Sequence, residues 1–147
     1  MSTANYAVQT RICRSPAEVF DAIVQPQQLQ EYFVDRAEGE WHEGQAVVWH
    51  WEQWGDYPVQ VIALDRPRRI ELEIDSTAWK KTTDAGYPVR IVMELTELDD
   101  GGTMLQIRES GWQVDTSGLK ASHENCSGWT HMAMCLKAYL EHGLDMR

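Results

Sequence analysis

At 147 residues with a formal charge of −10 and an isoelectric point near 4.8, the chain has the length of one ordinary domain and a surface that repels phosphate backbones and anionic lipid headgroups. Apolar residues make up 43% and charged residues 24%, which excludes the composition of a disordered chain and allows a real core. Met1–Ala7 lacks the basic and apolar stretches of a leader, no apolar run nears the ~20 residues a membrane span needs, and the odd set Cys13, Cys126 and Cys135 suits a reducing, cytoplasmic compartment.

Tyr6, Val8, Thr10 and Ile12 alternate with Ala7, Gln9 and Arg11, the period of a strand with one buried face. Ser15-Pro16-Ala17-Glu18 then predicts a capped helix start before Val19, Phe20 and Ile23. Pro26 interrupts that helix, and Leu29, Tyr32 and Phe33 predict a second short one ending near Phe33. From Ala46 to Glu52 a strand sets Val47, Trp49 and Trp51 on one face and Ala46, Val48, His50 and Glu52 on the other.

Gly55-Asp56 predicts a turn, after which Val59, Val61 and Ala63 share a face and Asp65-Arg66-Pro67 turns the chain again. Ile70, Leu72 and Ile74 form the next strand, and Thr77 to Gly86, including Lys80, Lys81 and Asp84, reads as a loop. Val89, Ile91, Met93 and Leu95 precede the hairpin signal Asp99-Asp100-Gly101-Gly102, and Leu105, Ile107 and Glu109 continue on the return strand. From about Leu119 to His142 the period changes: Trp129, Met132, Ala133, Leu136, Tyr139 and Leu140 predict an amphipathic helix of about six turns, stopped by Gly143.

Strands joined by short turns pair antiparallel, and only the final helix is long enough to cover a sheet of that width. The expected fold is a single α+β domain over residues 1–147: a curved antiparallel sheet of six or seven strands wrapped around a long C-terminal helix, with two short helices after strand one. A twisted sheet around a straight rod leaves room for a cavity.

Three segments carry a family resemblance. Ser15–Ile23, Gly101-Gly102-Thr103 through Glu109-Ser110-Gly111-Trp112, and Asn125–Gly143 with Gly128-Trp129 and Leu136-Lys137-Ala138-Tyr139-Leu140-Glu141 resemble the START-like, or Bet v-type helix-grip (SRPBCC), superfamily. Within it they resemble the family homologous to the Aha-type co-chaperone domain, including its CalC-like branch. That resemblance implies a helix-grip fold and a pocket; members range over ligand carriers, cyclase-like enzymes and chaperone-associated domains, so it selects no reaction.

Seven tryptophans against two phenylalanines suit a cavity for a planar or ring-bearing molecule, although packing in a core uses them equally well. The expected function is binding of a small hydrophobic or aromatic ligand, walled by Trp49, Trp51, Val61, Leu72, Met93, Trp112, Trp129 and Met132, with Glu109 aimed inward beside Leu105 and Ile107. The alternatives are a chaperone-associated domain and a cyclase- or hydrolase-type enzyme pairing Glu109 with His50 or His131. His131 with Cys135, and His123 with Cys126, share helix faces without a third and fourth ligand, so neither metal nor cofactor is expected. No local catalytic fingerprint occurs. A small hydrophobic molecule, a chaperone and a second copy of the chain are the partners kept.

Overall fold

Strand alternation decides where the core sits. In the computed structural model residues 4–83 and 85–147 are described; Met1–Thr3 and Asp84, the latter assigned to the loop by sequence, lie outside them. The elements run β1 (Tyr6–Ile12), α1 (Pro16–Val24), α2 (Pro26–Tyr32), β2 (Arg36–Glu38), β3 (Ala46–Trp51), β4 (Gly55–Asp65), β5 (Arg69–Asp75), β6 (Pro88–Glu97), β7 (Thr103–Ser110) and α3 (Thr116–His142). The strands form one seven-stranded sheet in the order β1-β7-β6-β5-β4-β3-β2, every neighbour antiparallel. This is the helix-grip α+β fold. Among the described residues no helix is long and apolar enough to cross a membrane.

Local chemistry explains the boundaries. Ser15 caps α1, its Oγ accepting from the Glu18 N–H at 3.3 Å, with Pro16 in the first turn. Gln25 ends α1 and starts α2, because the proline behind it disfavours further helix at that position. At the far end, Asp115 accepts from the Gly118 N–H at 2.7 Å and left-handed Gly143 closes α3. The helix therefore begins at Thr116, ahead of the apolar pattern that pointed to Leu119: its first turn is polar and is set by its cap.

Two further expectations are corrected. Gly55-Asp56 is already strand; the turn is Glu52-Gln53-Trp54, and Gly55, with φ +90°, opens β4 opposite Trp51. In β4 the register shifts between Val61 and Ala63, so Ala63 pairs with Glu71 on the outer side while Leu64 faces Ile70. A bulge inserts one residue and reverses the alternation, which period two alone does not reveal. The three-residue edge strand β2 is too short to show a pattern.

The inner face of the sheet contributes Ile12, Val61, Leu72, Ile91, Met93, Leu105 and Ile107 to one core with α1, α2 and the Trp129, Met132 and Leu136 stripe of α3. On the outer face Arg90 holds Glu71 and Glu73, each at 2.8 Å, and Arg108 holds Glu94 at 2.6 Å, as cross-strand pairing predicts.

Candidate functional site

Sheet and helix do not close everywhere. Beside the middle of α3 lies an open cleft of about 560 Å³. Its walls carry seven aromatic side chains: Tyr32 and Phe33 from the end of α2, Trp51, Trp54 and Tyr57 around the β3–β4 turn, Trp79 from the β5–β6 loop, and Trp129 from α3. Glu124, Asn125, Gly128 and His131 complete the helical side.

Around Trp51 and Tyr57 the rings meet edge to face. Phe33 and Trp51 have centroids 5.1 Å apart at 85°, Trp51 and Tyr57 5.4 Å at 76°, and Tyr57 and Trp79 5.3 Å at 77°. Such contacts set a positive ring edge on a negative ring face. Three of the four indole N–H groups, those of Trp51, Trp79 and Trp129, are turned into the protein. Trp51 Nε1 donates to the Phe33 carbonyl at 2.7 Å, Trp79 Nε1 to the Pro58 carbonyl at 2.9 Å, and Trp129 Nε1 to Glu109 Oε2 at 2.6 Å. Behind them Trp49, 1% exposed, touches Phe33, Trp41, Trp51, Trp79 and Trp129, and its Nε1 has no hydrogen-bond partner among the described residues.

Beneath this wall Glu109 is fully buried. Its Oε1 accepts from Trp112 Nε1 at 2.6 Å, its Oε2 from Trp129 Nε1, and Asn125 Nδ2 donates at 3.1 Å to Oε2. No ion pair reaches Glu109 among the described residues; neutral N–H donors alone hold this carboxylate. The Tyr6 hydroxyl sits against it without completing a well-formed hydrogen bond, and burial, then the Glu109 charge, pushes the Tyr6 phenol far above its usual range.

The rim is charged. Lys81 Nζ donates to Glu124 Oε2 at 2.8 Å, which holds the Glu124 carboxyl below its ordinary value. Asp35 Oδ2 accepts from the Glu52 N–H at 2.8 Å. Arg147 donates to the Val34 carbonyl at 2.7 Å, lies 3.9 Å from Asp35, and makes bonds of 3.0 and 2.8 Å to Asp145, whose carboxyl it pulls down to about 2. Lys80 Nζ donates to the Trp54 carbonyl at 2.6 Å and stands 4.5 Å above the Tyr57 ring.

Of the residues predicted to wall a cavity, Trp51 and Trp129 line this cleft and Trp49 backs it. Val61, Leu72, Met93 and Met132 are packed between sheet and helix at 0–1% exposure, and Trp112, 3% exposed, sits beyond Glu109 against Tyr87. Glu109 does face inward, as its alternation with Leu105 and Ile107 requires. His50 lies on the opposite side of the sheet, paired with Asp56 and Glu52. His131 Nε2 is 3.5 Å from Cys135 Sγ, a thiol that burial pushes up, and among the described residues no group of three or more His, Cys, Asp or Glu side chains gathers.

Sequence reasoning passed over Trp54, Tyr57, Trp79, Asp35, Lys81, Glu124 and Arg147. A signal existed for two of them. Trp54 and Trp79 are large aromatics inside stretches otherwise made of turn and loop formers, where nothing local explains a tryptophan.

Residues 14–141 match the sequence profile of a family described as Activator of Hsp90 ATPase homolog 1-like protein. No curated protein matches the chain in sequence. Protein SSP2350 from Staphylococcus saprophyticus has a similar structure, with TM-score 0.75 at 22% identity over 96% of this chain and 94% of its own. Protein MLL2253 from Mesorhizobium loti gives 0.79 at 17% identity over 92% of this chain and 96% of its own. The Aha1 dimer from Colwellia psychrerythraea gives 0.78 at 18% identity over 96% and 98%. At these identities the likeness speaks for the fold alone.

Proposed function

Because this chain belongs to the family of Activator of Hsp90 ATPase homolog 1-like proteins, matched over residues 14–141, we propose that it uses the fold's open side to bind a small hydrophobic, ring-bearing molecule. One observation carries this reading: an open cleft of about 560 Å³ walled by seven aromatic side chains whose indole N–H groups are mostly engaged elsewhere. What remains toward the cleft is ring face, which gains about 25 cal/mol for each Å² of apolar surface it removes from water. Trp51, Trp54, Tyr57, Trp79 and Trp129 are the proposed ligand contacts, with Trp49 and Glu109 fixing them from behind.

Gly128 provides the test. It lines the cleft, and a Cβ built on it meets nothing within 4 Å. A Gly128→Leu variant therefore fills the site without disturbing the core, and replacing a mid-helix glycine stabilises α3 by up to about 1 kcal/mol. A panel of aromatic and aliphatic lipophiles is expected to quench tryptophan emission saturably and raise the melting temperature of the native chain. Gly128→Leu is expected to melt no lower and to bind at least tenfold more weakly. Absence of any saturable response across the panel refutes the reading.

A proton-transfer role for Glu109 finds less support, since its oxygens are occupied by N–H donors and it is sealed from solvent. Family membership favours a second reading, in which a surface of the domain docks on a chaperone. Capture by the ninety-kilodalton heat-shock chaperone, with its ATPase as readout, tests that reading, and it should be indifferent to Gly128→Leu. The relative described as a dimer supports self-association of this chain as well, which sedimentation equilibrium measures.

A further inference from the structure

Charge distinguishes the two ends of the cleft. At the end nearer α2, Phe33, Trp51 and Trp54 meet at steep angles: 85° between Phe33 and Trp51, and 63° between Trp51 and Trp54, whose centroids are 5.9 Å apart. Such rings enclose a corner instead of stacking into a slab. The Trp51 N–H is spent on the Phe33 carbonyl, so the indole turns no donor into that corner. Aromatic faces carry the negative lobe of the ring quadrupole.

A carboxylate is fixed nearby. Asp35 is two residues from Phe33 and is tethered to the Glu52 N–H, immediately after Trp51, with 43% of its side chain exposed. Two cations are near among the described residues, and both are committed: the Lys80 ammonium to the Trp54 carbonyl and the Tyr57 ring, and the Arg147 guanidinium to Asp145 and the Val34 carbonyl. Asp35 and Glu31 both act on Arg147 as well. Three carboxylates, Asp35, Glu31 and Asp145, against these two cations leave this end negative, inside a molecule of net charge −10. At the opposite end Lys81 is paired with Glu124, so among the described residues no uncommitted positive charge waits there for an anionic ligand.

The fold displays the same chemistry on an adjacent ring. The Lys80 ammonium, anchored by the Trp54 carbonyl, stands over the face of Tyr57. Resting on the reading of the cleft as a small-molecule site, we infer that its occupant carries a positively charged, alkylated nitrogen, seated in the corner of Phe33, Trp51 and Trp54 beside Asp35, with an apolar body extending toward Trp79 and Trp129. An alkylated ammonium suits the corner better than a bare one. It loses less hydration on entry, and the ring faces attract its charge without needing its N–H groups.

The probes are benzyltrimethylammonium and its neutral isostere 2,2-dimethylpropylbenzene, identical in shape with carbon in place of the charged nitrogen. Calorimetric titration of the full chain is expected to show the cation bound about tenfold more tightly, the scale of a partly desolvated cation–π contact. Asp35→Asn keeps an acceptor for the Glu52 N–H; it should shrink that ratio to about threefold or less while leaving the neutral probe unchanged. Trp54→Leu, at a side chain 56% exposed, removes one wall without touching the core and should shrink the ratio likewise. Circular dichroism checks that each variant is folded.

Equal or tighter binding of the neutral probe overturns the inference and leaves the cleft reading standing. A ratio unmoved by both variants overturns it too. Binding of neither probe, while other aromatics of the panel bind, overturns the inference alone; binding of nothing overturns both.

Discussion

Trp129 and Trp49 show how unequal two buried residues of one cluster can be. Among the described residues Trp49 leaves its N–H without a partner, whereas Trp129, similarly buried, spends its N–H on a carboxylate that no cation pairs with. Replacing either indole by phenyl removes a similar volume, but Trp129→Phe also strips a charge-assisted hydrogen bond from Glu109, worth about 1.5–3 kcal/mol. Trp129→Phe is therefore expected to lower unfolding free energy by about 1–2 kcal/mol more than Trp49→Phe, measured by urea titration of both variants. An equal loss would mean that Glu109 finds a replacement donor. Some of this was readable in advance: alternation with Leu105 and Ile107 points Glu109 inward. Its partners were not, because Trp112, Asn125 and Trp129 come from a loop and a helix whose approach depends on the whole fold.

Elements were legible where their period runs uninterrupted and obscure where it breaks. β1, β5, β6 and β7 keep strict alternation and were placed from sequence to within a residue or two. β4 was misread twice, once because Gly55 resembles a turn residue and once because the bulge after Val61 reverses the inward set. The start of α3 belongs to a different class of signal, its cap and its closest neighbour. A Cβ on Gly118 would sit 1.9 Å from the Gln113 carbonyl oxygen, so the first turn lies directly on the chain that leads into it. Helix propensity favours Gly118→Ala by up to about 1 kcal/mol; the clash outweighs it, since overpacking of this kind costs about 1–3 kcal/mol. The variant should melt below the parent in a thermal scan, opposite in sign to Gly128→Leu on the same helix.

For the whole molecule, the order of elements left few packings, which is why the architecture could be read from one chain while the site could not. The space expected across the centre of the sheet is filled by Val61, Leu72, Met93 and Met132, and the opening lies to one side, among rings supplied by a turn, a loop and the end of a helix. Segments without a period carry no sign of where they will fold back. Net charge makes a separate prediction. The ion pairs of Lys and Arg, at 2.6–3.9 Å, lie well inside a Debye length, whereas mutual repulsion of a −10 surface acts across it. Raising sodium chloride from about 10 to 200 mM should therefore lift the melting temperature by about 2–4 °C, and a fall would mean that the ion pairs outweigh the net repulsion. The sheet order also has a consequence during synthesis. β1 hydrogen-bonds along one side only to β7, and Asn5 meets Trp112 107 positions later. At roughly 5–20 residues per second, the first strand leaves the ribosome several seconds before β7, the strand that receives it. Over that interval its exposed edge is open to pairing with the wrong chain, and holding it apart until the last hairpin arrives is work that a nascent-chain binder would have to do.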